Sequence, residues 1–261
     1  LDGIVGDVGG VVVYDRTAGV WSETQVLYAT DFAPLDLFGV SVDIDGTTIA
    51  VGASGEDDAG SGAGAGYIFT LNAGTWSQQA KLQASDGDTA DAAGSAIAVS
   101  GEFAIVGAPA DDGTGGIDSG SAYVWEREGT SWNQQQKVEA SDAEASDRFG
   151  SAVSIDGTRF AVAAAYDDDT ATDAGAVYTF EQSDAEWVQD TKEVASDGEA
   201  DDRYGVAIDL DGTTLVVGAP FSNNAELSVT ADEDAGAVYV ANLDEGAVCI
   251  SILDANDTPV Y

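Results

Sequence analysis

Trp21, Trp76, Trp132 and Trp187 stand 55, 56 and 55 residues apart. A constant interval of that size restricts the chain to a repeated supersecondary unit, either stacked or arranged about an axis. Each of these tryptophans follows a short strand-like run that ends at Tyr14, Phe69, Trp125 or Phe180. Phe38-Gly39, Ala93-Gly94, Phe149-Gly150 and Tyr204-Gly205 keep the same step. So do pairs of aspartates five residues apart: Asp31 and Asp36, Asp86 and Asp91, Asp142 and Asp147, Asp197 and Asp202.

Within a unit, the stretch after the Phe-Gly reads as two strands joined by a tight turn, as in Val40 to Ile44, Asp45-Gly46, then Thr47 to Ala53. Asp-Gly between β-rich runs signals a hairpin, because Gly accepts the positive φ of a primed turn. Asp156-Gly157 and Asp211-Gly212 repeat it, and Ser100-Gly101 stands in once. A polar loop leads to a third strand around Tyr67, Tyr123, Tyr178 or Tyr239, and a fourth begins at the Trp. Four short strands per unit with no amphipathic helix predict an all-β fold: a β-propeller of four-stranded antiparallel blades, about 55 residues per repeat. A solenoid is the other arrangement.

The unit boundaries fall at 39–93, 94–149, 150–204 and 205–261, with residues 1–38 supplying only the last two strands of an earlier, partial blade. The half unit leaves a strand edge at Val11 to Tyr14 that natural sheets pair or cover. That strand is therefore expected to hydrogen-bond on both sides in the assembly, through closure by Val248 to Leu253, another copy, or further blades. The chain opens at Leu1 without an initiator methionine, so a processed or excised segment of something longer is expected.

The second strand ends in Gly52-Ala53, Gly107-Ala108-Pro109, Ala163-Ala164-Ala165 or Gly218-Ala219-Pro220. Such low side-chain volume fits where sheets converge, or where a strand exits into a loop. Phe-Gly followed about a dozen residues later by Gly-Ala-Pro resembles the FG-GAP repeat of integrin α-subunit propellers, and more closely the short FG-GAP variant of microbial surface and secreted proteins. The resemblance covers nearly the whole chain, with departures at Ala93, Ala163 and Val248. It implies a propeller fold, an extracellular or cell-surface setting, and other proteins or surface glycans as partners. It also raises calcium, which many FG-GAP repeats bind between the two motif strands. Here that loop has shrunk to Asp43-Ile44-Asp45-Gly46 and Asp209-Leu210-Asp211-Gly212, too few oxygens for the six to eight that calcium takes.

Charge narrows the partners. With 48 acidic against 8 basic residues the formal net charge is −40, and self-repulsion of that size calls for concentrated salt, since the screening length falls from about 10 Å at 0.1 M to about 3 Å at 1 M. A halophilic, haloarchaeal source is expected. Nucleic acid and anionic membranes are disfavoured as partners, and no apolar run is long enough for membrane insertion as a helix. The absence of histidine removes Ser-His-Asp and Cys-His catalysis and histidine metal sites. Cys249, the one cysteine, sits among Val248, Ile250 and Ile252 and reads as a small buried apolar residue.

The acid-rich loops after the second strand are the better cation candidates: Asp111, Asp112 and Asp118 in one, Asp167, Asp168, Asp169 and Asp173 in the next. Against them stands a solvated acidic surface. The paired aspartates suit glycosidase chemistry in type, but a catalytic pair is unique and these recur in every unit, which points to turn capping. The tryptophans suit either sugar stacking or packing between blades. Asn256-Asp257-Thr258 fits a glycosylation acceptor. The expectation is a non-catalytic cell-surface or extracellular interaction or structural module without a cofactor, with self-assembly through the partial blade. The alternative is a carbohydrate-binding or carboxylate-dependent polysaccharide hydrolase or lyase propeller.

Overall fold

The computed structural model describes residues 8–222 and 236–244, and the backbone of 252–253 and 259–260. Among them every regular element is a strand. A two-stranded sheet, β1 (Val11–Thr17) and β2 (Val20–Leu27), is followed by three four-stranded antiparallel sheets. These are β3 (Val42–Asp45) to β6 (Thr75–Leu82), β7 (Ala96–Ser100) to β10 (Ser131–Val138), and β11 (Phe149–Asp156) to β14 (Glu186–Glu193). A three-stranded sheet, β15 (Ala207–Asp211), β16 (Thr214–Ala219) and β17 (Ala237–Asn242), comes next, and a short pair, β18 (Ile252–Leu253) and β19 (Pro259–Val260), ends the array. Cys249 and Asn256 lie outside the described residues.

Each sheet is an up-and-down meander in sequence order. The expected hairpins are in place: Gly46, Gly101, Gly157 and Gly212 all have positive φ, from 54° to 59°. Each outer strand carries one extra residue against its partner, at Thr24, Gln79, Gln135 and Asp190. A bulge in the same place raises the twist of every outer edge alike.

The core lies between sheets. Each apolar cluster joins one face of a sheet to the opposite face of the next, as where Ala50, Ile68 and Leu82 meet Ile97, Val106, Tyr123, Trp125 and Trp132. Trp76, Trp132 and Trp187 share one register and face the preceding sheet, 8%, 8% and 3% exposed. Trp21 holds the same register on a sheet with no described predecessor and is 64% exposed, with Val12 and Tyr14 open beside it. Among the described residues β1 pairs with β2 alone, and the Val248 to Leu253 segment expected to close against Val11 to Tyr14 lies largely outside them. The strands that would flank it belong to the first half of its unit, which the described residues do not contain.

The two motifs interlock consecutive sheets. Within a sheet the amide of the first motif's glycine donates to the carbonyl of the second's, Gly39 to Gly52 (2.9 Å), Gly94 to Gly107 (2.9 Å) and Gly205 to Gly218 (3.0 Å). Gly52 and Gly107 in turn abut the first motif of the following sheet. A Cβ on Gly52 would stand 1.9 Å from the Gly94 oxygen, and one on Gly107 would stand 2.1 Å from the Gly150 oxygen. Close approach to the next sheet therefore excludes any side chain there. The Ala93 departure is compensated in volume: Phe38 packs edge-on against Phe69, and Phe149 against Phe180, whereas buried Ala93 shares its cluster with the larger Trp125.

The first strands of the four sheets, β3, β7, β11 and β15, surround a common cavity of about 530 Å³. Their hairpin turns gather at one end of it. The Phe-Gly and Gly-Ala segments lie at the other end of the same strands.

Candidate functional site

The loops at the Phe-Gly end hold most of the candidate acids, and three lysines organise them. Lys81, Lys137 and Lys192 follow their tryptophans by five residues, on β6, β10 and β14, and so recur with the repeat. The Lys81 ammonium lies 2.8 Å from Asp31, 2.7 Å from Glu56 and 2.7 Å from Asp58. Lys137 meets Asp86 at 2.9 Å and Asp111 at 2.7 Å. Lys192 meets Asp142 at 2.9 Å, Asp167 at 2.9 Å and Asp169 at 2.6 Å. Beneath each lies a buried tyrosine, Tyr67, Tyr123 or Tyr178, with the ammonium 5.2–5.6 Å from its ring centroid. Asp31, Glu56 and Asp58 have the spacing of a metal-ligand set, and the same oxygens clasp the lysine.

Electrostatics follow from this geometry. Burial would lower the lysine pKa values, but the hydrogen-bonding carboxylates outweigh it and raise all three. Burial pushes the Tyr123 and Tyr178 phenols up, so they stay protonated donors. Tyr123 donates to Asp111 (2.9 Å), and Tyr178 to Asp142 (2.8 Å) and Asp167 (2.7 Å). In the last unit the position of the buried acid is taken by Ser222. There Tyr239, its phenol pushed up to about 12 chiefly by burial, donates to Asp197 (3.0 Å).

The second aspartate of each pair is buried and caps its own turn. Asp36 accepts from the Ala33 amide (2.6 Å), Asp91 from Asp88 (2.6 Å), Asp147 from Glu144 (2.7 Å) and Asp202 from Glu199 (2.8 Å). Burial raises Asp36 and Asp91, and pushes Asp147 up to about 6 with help from Asp167 and Asp168 nearby. The hairpin acids do another repeated job, accepting amide protons from the next sheet. Asp43 takes Val99 (2.7 Å), Asp45 takes Gly101 (2.7 Å) and Asp156 takes Gly212 (2.7 Å), with Ser100 and Ser154 filling in at Gly157 and Leu210.

Of the seven cation candidates, Asp111, Asp167 and Asp169 bind lysines, in two separate cages. Asp112 accepts the Asp118 amide (3.0 Å) within its loop, and Asp168 is exposed. Asp118 and Asp173, both at positive φ, accept the amides of Arg148 and Arg203 through their carbonyls, each at 3.1 Å. The lysine period was legible beside the tryptophans, and would have found the cages. Sequence reasoning also missed Arg148, Tyr166, Arg203 and Phe221. Both guanidinium groups lie 4.7 Å from the Tyr166 ring centroid, and Arg203 lies 5.2 Å from that of Phe221.

Successive antiparallel sheets, locked by a Gly-to-Gly contact and stapled by recurring acids, define an all-β repeat protein. The chain belongs to the FG-GAP repeat family, whose model matches residues 21–69, 76–125, 132–180 and 187–241. Each match starts at one of the four tryptophans and ends in the third strand of the following sheet. The family unit thus spans a sheet junction. No curated protein matches the chain.

Proposed function

We propose that the sheets are blades of a β-propeller, and that the molecule is a non-catalytic interaction or structural module, extracellular or displayed at the surface of a halophile. One observation carries this. The carboxylates that recur with the repeat are engaged in its fabric, as lysine counter-ions, turn caps and staples between sheets, and they supply no unique acid and base pair of the kind polysaccharide cleavage needs. Family membership supports the setting. No helix of the described residues is long and apolar enough to cross a membrane, and the reading assigns no cofactor.

Exposed Trp21, Tyr14 and Val12 favour one further feature of the same reading. Their counterparts in later sheets are covered by the preceding sheet, so the cover for this face is another FG-GAP blade, presented by the carboxyl-terminal part of the chain itself, by a second copy or by further repeats of a longer chain. The test is antibody labelling of intact and lysed source cells, with binding of the purified chain to the envelope fraction in molar salt. Labelling of intact cells with envelope binding supports the proposal. Labelling only after lysis, or release of reducing ends from a polysaccharide panel, overturns it.

A further inference from the structure

In a repeat protein, what recurs serves the fold, and what breaks the repeat without serving the core is left for function. The residue before each Phe-Gly is Leu37, Ala92, Arg148 or Arg203, and all four share one backbone conformation, φ 54–58°. The residue two beyond each second strand is Gly55, Ala110, Tyr166 or Phe221. Equal backbone thus carries small or aliphatic side chains in the first two units, and an alternating series of arginines and aromatics in the last two. Packing does not demand the change: Arg148 is exposed and Phe221 is 40% exposed.

The charges are unusual too. In a chain with 48 acids and 8 bases, neither Arg148 nor Arg203 has a carboxylate within ion-pair distance among the described residues, although every lysine has at least two. The Arg203 Nε is buried without a hydrogen-bond partner among those residues. Two like charges converge on one tyrosine ring, so the guanidinium carbons are at most twice 4.7 Å apart. Stacking on a ring fixes the guanidinium plane and leaves its N–H edges for a planar anion.

We propose that Arg148, Tyr166, Arg203 and Phe221 form a binding site for a glycan bearing uronic acid units. The proposal rests on the surface-module reading and deepens it. A carboxylate is the planar anion that a guanidinium edge takes in two hydrogen bonds. The surroundings select the rest of the ligand. The loop of Asp118 runs beside Arg148 and that of Asp173 beside Arg203, each carbonyl accepting its arginine's amide at 3.1 Å. These acid-bearing loops favour a ligand that carries hydroxyl donors beside its carboxylate, as every uronate unit does and a glutamate side chain does not.

The test is titration calorimetry of the full chain in about 2 M potassium chloride, where screening confines the net charge to about 3 Å. The probes are tetragalacturonate, its methyl ester, and tetraglutamate. Tetragalacturonate alone is expected to bind. Arg148→Gln and Arg203→Gln each weaken it about tenfold or more, the double variant abolishes it, and thermal midpoints stay within about 2 °C of the parent. No uronate binding by the parent, unchanged affinity in the double variant, or equal binding of tetraglutamate overturns the site. If the chain labels intact cells yet binds no uronate, the site falls and the surface reading stands; labelling only after lysis removes the reading itself.

Discussion

Replacing Lys192 by Met removes the cation of one cage while keeping most of the side-chain volume over Tyr178. Of its three partners, Asp142 and Asp169 have side chains 39% and 44% exposed, and such contacts are worth at most about 1 kcal/mol each. The Asp167 side chain is 3% exposed. Stripping the counter-charge from a carboxylate so buried costs about 3–5 kcal/mol. Tyr178 still donates to it at 2.7 Å, so the lower figure applies. At about 2–4 °C per kcal/mol for a chain of this size, Lys192→Met should lower the thermal midpoint by about 6–12 °C. Calorimetry in about 2 M potassium chloride checks this, with screening held constant. Adding Asp167→Asn, which keeps an acceptor for the tyrosine and removes the charge, should recover at least half of the loss, because residues in one network are not additive. A shift below about 2 °C, or an Asp167→Asn change that deepens the loss, refutes the cage as a stabilising element.

Three more outcomes follow from the same geometry. Asp147, with its pKa raised to about 6 by burial, holds its proton more tightly folded than unfolded. Its contribution is therefore complete below about pH 4 and lost as pH rises through 6; Asp147→Asn should raise the midpoint at pH 7, leave it unchanged at pH 4, and flatten the profile between. Gly107→Ala should unfold or severely destabilise the chain, because its Cβ would stand 2.1 Å from the Gly150 oxygen, whereas Gly218→Ala, whose nearest neighbour is 3.7 Å away, should shift a denaturation midpoint by little. The net charge of −40 predicts a midpoint that climbs steeply between about 0.1 and 2 M potassium chloride; equal midpoints would remove self-repulsion as a factor.

Tryptophan spacing, Asp-Gly turns and the two motifs placed nearly every described strand before any coordinates, because each reports a local backbone demand repeated four times. Partners across a junction were not legible. Asp45 reads as turn chemistry, yet its carboxylate reaches Gly101 in the next sheet. Asp111 and Asp167 read as cation candidates, and the cation proved to be a lysine of the chain itself, on a strand some 25 residues further on. Local sequence shows acids in a loop, whereas only the fold shows which strand crosses beneath them. Arg148 and Tyr166 were harder still. Each is ordinary alone, and their meeting depends on the loop that carries the chain from one strand pair to the next.

The acid surplus divides in two on this basis. Asp36, Asp91, Asp147 and Asp202 are buried, and together with the cage and staple carboxylates they are fixed by the repeat in any solvent. Exposed acids such as Asp168 have no such duty and belong to the salt-dependent surface. Salt should then act unequally on the two sets. Screening relieves the exposed acids over tens of ångströms, but it scarcely weakens contacts of 2.6–2.9 Å around a mostly buried ammonium. The loss on Lys192→Met should consequently be nearly the same at low and high salt, while the midpoint of the parent moves by far more. A loss that vanishes in about 2 M salt would mean that the lysines are merely part of the screened surface, and that the repeat is held by its Gly-to-Gly locks and apolar faces alone.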